Sequence, residues 1–162
     1  MTEQKPPPFC FIIDTREQTP WELPEGVSRK LDIGDYSVDG FESIMAIERK
    51  SFDDLYKCLG TDLARFTKQM KALGKLQYKA LLIESTANAV MYGHPISGIK
   101  GKVAMIRLLH LCVTNGVPLF FCDRHGPTIC AALLVEFWKI EEKNGYQEET
   151  RKKKGGVEKS TK

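Results

Sequence analysis

Gly34-Asp35-Tyr36-Ser-Val38 and, beyond the turn-forming Asp39-Gly40, Ser43-Ile-Met-Ala-Ile-Glu48-Arg49-Lys50 are the two runs on which the fold turns. Both are rich in strand-forming residues and are separated by turn formers, which predicts strands over about Lys30 to Val38 and Ser43 to Lys50. Side chains alternate along a strand, so Glu48 and Lys50 share one face while Ile47 and Arg49 share the other. A two-residue hairpin at Asp39-Gly40 would set Asp35 opposite Ile44, about 13 Å along the strand from Glu48. Bringing both acids to one place requires a loop of roughly Val38 to Ser43, or a bulge.

Outward from this pair, Phe9 to Ile13 is a β-branched and aromatic run that reads as a buried strand, stopping at Asp14-Thr-Arg-Glu17. Residues 18 to 29, with Pro20, Pro24 and Gly26, read as a loop. On the other side, Ser51 is a helix N-cap with Asp54 at the third helical position. Leu63, Phe66, Met70 and Leu73 repeat at helical spacing, so a helix is expected over Asp62 to Leu73, stopped by Gly74, with Arg65, Lys68 and Gln69 on its other face. Tyr78 to Ile83 and Val117 to Cys122 read as strands. Lys102 to Asn115, with Gly116 just past its end, and Thr128 to Lys143 read as helices. The order β, β, β, α, β, α, β, α is that of an α/β sandwich around a mixed sheet, without internal repeats.

The 162 residues, 42% hydrophobic, suit one domain with a real core. Its expected extent is 9–145, between a disordered N-terminus at 1–8 and a basic flexible tail at 146–162. The net charge of +3 is uneven, because six Lys or Arg against one Glu put +5 on residues 151 to 162 and leave −2 on the rest. Polyanion binding must then come from a local patch or from the tail rather than from one large basic face. Five scattered cysteines form no CxxC pair, which argues against structural zinc and for free thiols in a reducing interior. With no signal-peptide h-region and no membrane span, the expectation is a soluble intracellular protein. It would work in the cytoplasm of a prokaryote or phage host, or in a nucleus if Arg151-Lys-Lys-Lys154 acts as a targeting signal. The three histidines lack i, i+4 pairing and are read as structural or solvent-facing. Gly98-Ile-Lys-Gly-Lys102 lacks the Walker pattern and suits a phosphate contact at a helix entry.

Magnesium-assisted phosphodiester hydrolysis needs hard oxygen ligands, an activated water and a cation for the charge developing on phosphate oxygens. Asp35 and Glu48 can supply ligands, and Lys50 the cation. The ordered set Gly34-Asp35, then Glu48-Arg49-Lys50-Ser-Phe-Asp-Asp54, resembles the GD...ERKxxxD signature of XPF-type nuclease domains, a branch of the PD-(D/E)xK superfamily. Ile12-Ile13-Asp14-Thr-Arg-Glu17 is similar to the family's D-x-R-E strand, Leu31-Asp-Ile-Gly-Asp-Tyr36 to its L-x-x-G-D-Y strand, and Arg65-Phe-x-x-Gln69-x-x-x-Leu73 to the helix that follows. The likeness covers roughly residues 9 to 140, with its specific part in 12 to 73.

That resemblance implies a three-layer α/β/α, restriction-endonuclease-like fold and a DNA endonuclease of repair or recombination type. It implies Mg2+, with Mn2+ as substitute, held by Asp35, Glu48 and the backbone carbonyl of Arg49. Lys50 would be the catalytic lysine, and Asp14, Glu17, Arg49 and Asp54 accessory positions. DNA contacts are expected from Arg49, Arg65, Lys68, Gln69, Lys100, Lys102 and the tail. Family members that cut branched DNA usually add a tandem helix-hairpin-helix module, for which no residues are left here. The alternative expectation is therefore a catalytically silent or partner-dependent DNA-binding subunit of a nuclease complex. Simpler roles stand beside these: helix capping for Asp54, a strand-end turn for Asp14, pairing with a helix carboxylate for Arg49, a solvated face for Arg65 and Lys68. The apolar stripe of 128–140, with Phe137 and Trp138, reads as core packing or as a homodimer interface.

Overall fold

A computed structural model describes residues 8 to 157, with side chains described as far as 145. The expected disordered start therefore lies outside the described residues except for Pro8, as do the side chains of the basic tail.

β3 (Tyr36–Val38) and β4 (Met45–Ser51) pair antiparallel with Tyr36 opposite Ile47. The tight Asp39-Gly40 hairpin does not form. Residues 39–44 make a longer loop instead, closed by the Phe41 N–H on the Val38 carbonyl and the Met45 N–H on the Phe41 carbonyl. Just before β3 the Asp35 N–H donates to the Ile47 carbonyl and its carboxylate accepts the Arg49 N–H, so the chain brings Asp35 beside the Glu48–Arg49 stretch, as the sharing of one site requires. The strand expected from Lys30 is ordered into the ladder only from Tyr36. Gly34 interrupts it with a positive φ of 77°, passing so close to β4 that a Cβ there would lie 2.8 Å from the Ala46 Cβ.

β1 (Phe11–Ile13), β2 (Gly26–Ser28), β5 (Tyr78–Glu84) and β6 (Leu119–Phe121) complete a six-stranded sheet in the order β2-β1-β3-β4-β5-β6. β1 runs antiparallel to β3, whereas β1/β2, β4/β5 and β5/β6 are parallel, so the sheet is mixed. β2 lies in the stretch expected as loop. Its three residues are all exposed at the sheet edge, so no burial pattern marks it in the sequence.

One sheet face carries Ala46, Leu81 and Ile83 against α1 (Phe52–Leu59), α2 (Leu63–Gly74) and α4 (Gly101–Asn115). The other carries Ile47, Ala80 and Leu82 against Cys130 and Leu134 of α5 (Gly126–Val157). The result is three layers, helices on each side of the sheet. The stripe on 128–140 is directed to this core, with Phe137 stacked on Tyr78 and Trp138 against Phe9. Outward apolar side chains are found on α4, among them Ile106 and Val113, and at Ile140 of α5.

The Ser51 hydroxyl accepts the Asp54 N–H and donates to the Asp54 carboxylate, so the expected cap of α1 is present. Ser51→Ala is expected to lower stability by about 1 kcal/mol in a urea melt. Gly116 ends α4 in the left-handed conformation, as the sequence reads. Gly74 does not stop α2 in that way: it is the last helical residue, followed by Lys75 in the right-handed helical region. It is glycine because a Cβ would come 2.6 Å from the Asn115 carbonyl. α3 (Ala87–Tyr92) was not expected. It is too short to show a period and is capped by the Thr86 hydroxyl on the Ala89 N–H. α5 begins two residues earlier than expected and continues past Lys143 to Val157, a Lys- and Glu-rich stretch in which an existing helix propagates without a new nucleus. No helix among the described residues is long and apolar enough to cross a membrane. All five cysteines are free thiols, and burial pushes those of Cys112 and Cys122 up to about 11.

Candidate active site

Strand direction gathers the candidate residues at one end of the sheet. β4 and β5 are parallel and end together, with Ser51 opposite Glu84. β3 runs the other way, so its entrance, Asp35, reaches that same end, and β1, antiparallel to β3, delivers Asp14 there. The carboxyl ends of strands in α/β sheets are the usual place for ligands.

Asp35 and Glu48 are the acids at the centre. Only 7% of the Glu48 side chain is exposed, and its Oε1 accepts from Lys50 Nζ at 2.5 Å, which confirms that residues 48 and 50 share a face. Lys50 also lies over the Phe66 ring of α2. Burial disfavours its charge, but Glu48 and Asp35 outweigh this and hold the ammonium above its ordinary pKa. Asp35 is pushed up to about 8, first by burial, then by the negative charges of Glu48 and Glu17. The Arg49 N–H, donating to Asp35 Oδ2 at 2.7 Å, only partly counters that shift.

Arg49 projects from the opposite face of β4. Its guanidinium donates to Glu84 Oε2 from Nε (3.2 Å) and Nη2 (2.6 Å), and to Glu17 Oε2 (3.3 Å) and the Thr19 carbonyl (2.6 Å) from Nη1. It lies 4.5 Å over Trp21, which stacks on Tyr36. The Arg49 side chain, expected to contact DNA, is held here in an internal clamp, and its partner is a strand-end carboxylate rather than a helix one. Neither Glu84 nor Trp21 was singled out in the sequence. The available signal for Glu84 was its place at the end of an apolar parallel strand.

Asp14 is only 3% exposed, and its carboxylate is occupied by the Leu31 N–H at 3.0 Å and Arg16 Nε at 2.7 Å. Its own N–H donates to the Asp35 carbonyl. It therefore anchors the segment that carries Asp35. Glu17 lies close enough to Asp35 to raise its pKa. Asp54 is exposed; its N–H is capped by the Ser51 hydroxyl, which its carboxylate accepts in turn. Arg65 pairs with Asp62 at 2.9 Å, and this partner first, with a lesser contribution from the Glu48 charge, raises its guanidinium pKa. Lys68 is exposed beside it, and Gln69 holds a buried Oε1 that has no hydrogen-bond partner among the described residues. Lys100 and Lys102 stand exposed at the start of α4, without an ion pair among the described residues. His94 bonds Asp53 at 2.9 Å and packs between Phe52 and Tyr56, while His110 and His125 are exposed.

Among the described residues no three His, Cys, Asp or Glu side chains gather as a metal cluster. The donor set nevertheless fits a hard cation that takes one or two carboxylates and keeps its waters. A strand residue turns its N–H and C=O toward the same edge, so the Arg49 carbonyl faces the side where its N–H meets Asp35. Two carboxylates and a carbonyl are then brought to one end of the sheet, where burial first, and the charges of Glu48 and Glu17 after it, raise the Asp35 pKa.

Neither protein-family models nor curated protein sequences match the chain. Solved structures do. XPF from Aeropyrum pernix superimposes with a TM-score of 0.60 at 19% identity over 76% of this chain. The same protein in complex with DNA superimposes with a TM-score of 0.62 at 17% identity over 81%. The chain spans 59% and 66% of the lengths of those two chains. Its three-layer architecture, a mixed six-stranded sheet between helices with acids at one sheet end, is therefore an XPF-type fold.

Proposed function

We propose that the protein is a metal-dependent DNA endonuclease that hydrolyses phosphodiester bonds at the Asp35–Glu48–Lys50 centre. The observation that carries this is the meeting of two acids, Glu48 buried and Asp35 half-buried, with a lysine, from stretches joined by one loop, at the carboxyl end of the parallel strands of an XPF-type sheet. Asp35, Glu48 and the Arg49 carbonyl would hold Mg2+, or Mn2+ in its place. When bound, the ion supplies Lewis-acid stabilisation of phosphate charge and strengthens water as a nucleophile. Lys50, kept protonated by Glu48, acts as a fixed cation for charge growing on the phosphate oxygens and not as a base. Arg65 and Lys68, exposed on α2 beside the site, would position the DNA backbone, with Lys100, Lys102 and the basic tail as further contacts.

The test is cleavage of labelled single-stranded, duplex, flap and fork DNA by the wild type and Asp35→Ala with Mg2+, Mn2+ or chelator. Metal-dependent cutting is expected, lowered by at least about 100-fold in Asp35→Ala, and the preferred substrate would define any junction specificity. Folded wild type that binds but never cuts DNA would sink the proposal in favour of a silent or partner-dependent subunit.

A further inference from the structure

Glu84 lies outside the acid–lysine set, on the far side of β4 from Glu48, yet it is tied to the same backbone. Its Oε2 takes two donors from the Arg49 fork, and its Oε1 accepts Trp21 Nε1 at 3.4 Å. Arg49 is only 10% exposed at its side chain, sandwiched between Trp21 and these carboxylates. The side chain of residue 49 is therefore fixed on one face of the sheet while its peptide N–H holds the Asp35 carboxylate at 2.7 Å. Rotation of the residue 49 peptide would disturb both connections at once.

We propose that Glu84 is a positioning residue for this centre, acting through Arg49 to set the orientation of the Asp35 carboxylate and the Arg49 carbonyl. The proposal rests on the metal-site reading given above. Two features point to positioning rather than a bare surface ion pair. The guanidinium presents a planar fork to Glu84, which fixes direction as well as distance. The clamp also holds Glu17 Oε2 at 3.3 Å, so the guanidinium is tied to the first loop as well as to β5. Trp21 closes the arrangement from the loop side. Its ring packs against Gly126, where a Cβ would come 2.3 Å from the indole, so α5 prevents the ring from retreating.

The experiment titrates Mn2+ alone into the full chain, by paramagnetic resonance of the free ion, for the wild type, Glu84→Ala, Glu84→Gln and Arg49→Lys. It then measures kcat and KM on the best DNA substrate and the melting temperature of each. Glu84→Ala and Arg49→Lys are each expected to weaken Mn2+ binding and lower kcat by about 10–100-fold, the range for residues that orient metal ligands, with KM for DNA little changed. Glu84→Gln keeps an acceptor oxygen in place and is expected to recover most of both. A Glu84→Ala protein that melts lower yet binds Mn2+ and turns over as the wild type does would overturn the proposal and leave Glu84 a structural ion pair. If Glu84→Ala does not fold, Arg49→Lys decides by the same two readouts. Wild type that neither binds Mn2+ nor cuts DNA would remove the metal-site reading and this inference together, whereas a working wild type whose Glu84 and Arg49 variants bind Mn2+ and cut as it does removes only the inference.

Discussion

Lys50→Ala is expected to lower the single-turnover rate of DNA cleavage by about 10²–10³-fold, with DNA binding nearly unchanged. The size follows from where the ammonium sits. It is held over the Phe66 ring and against Glu48 in a largely buried place, where a fixed charge acts through little water. Lys50→Arg should not restore the rate, since a guanidinium is planar and longer and cannot replace a compact point charge in the same space. The alanine variant also leaves Glu48 buried without its cation, so its melting temperature should fall, as removal of one partner from a buried pair is costly. Assays must therefore be run well below that temperature. Cleavage by folded Lys50→Ala at the wild-type rate would mean that the lysine serves the fold and not the reaction.

In chelator at pH 8, Asp35→Asn is expected to be more stable than the wild type. The folded carboxyl is pushed up to about 8 from an ordinary 3.8, by burial and then by Glu48 and Glu17. A raised acid contributes no penalty below the ordinary value. As pH rises through the window from about 4 to about 8, the unfolded chain releases this proton while the folded one retains it, so wild-type stability falls. Asparagine keeps an oxygen for the Arg49 N–H and carries no charge, so it avoids that loss. A gain of about 2 kcal/mol, roughly 4–8 °C, is expected at pH 8 and should vanish near pH 4. Saturating Mg2+ should narrow or invert the gap, because the ion stabilises the form that binds it. Thermal melts at the two pH values, with and without Mg2+, check all three statements. Lower stability of the variant in chelator at pH 8 would refute the electrostatic account of Asp35.

What the sequence could show was what local pattern controls. The alternation of Glu48 and Lys50, the loop length needed between Val38 and Ser43, the Ser51 cap and the Gly116 stop all depend on neighbours within a few residues, and each is present in the structure. The fate of Arg49 was not legible, because its partners Glu17, Trp21 and Glu84 are 28 to 35 residues away and meet it only once β5 and the first loop are in place. Asp14 was ambiguous for a similar reason: its bond to Leu31 depends on the path of the chain before β3. β2 has no buried face and α3 has too few residues for a period, so neither could announce itself. The helical character of 128–140 was clear, but whether its apolar side met the sheet or a second copy depended on the sheet order.

Asp35 and Glu48 belong to stretches joined by a single short loop, whereas the β4/β5 pairing must wait for two helices and their connections. A hairpin closes in microseconds, and its closure entropy is small compared with that of a parallel crossover. The two acids can therefore come together early in folding, while water still screens them. The cover that desolvates them arrives later, with β5 and α2. Folding thus separates the assembly of the pair from its burial, and the unfavourable part of the site falls late on the pathway, where the rest of the core is present to offset it.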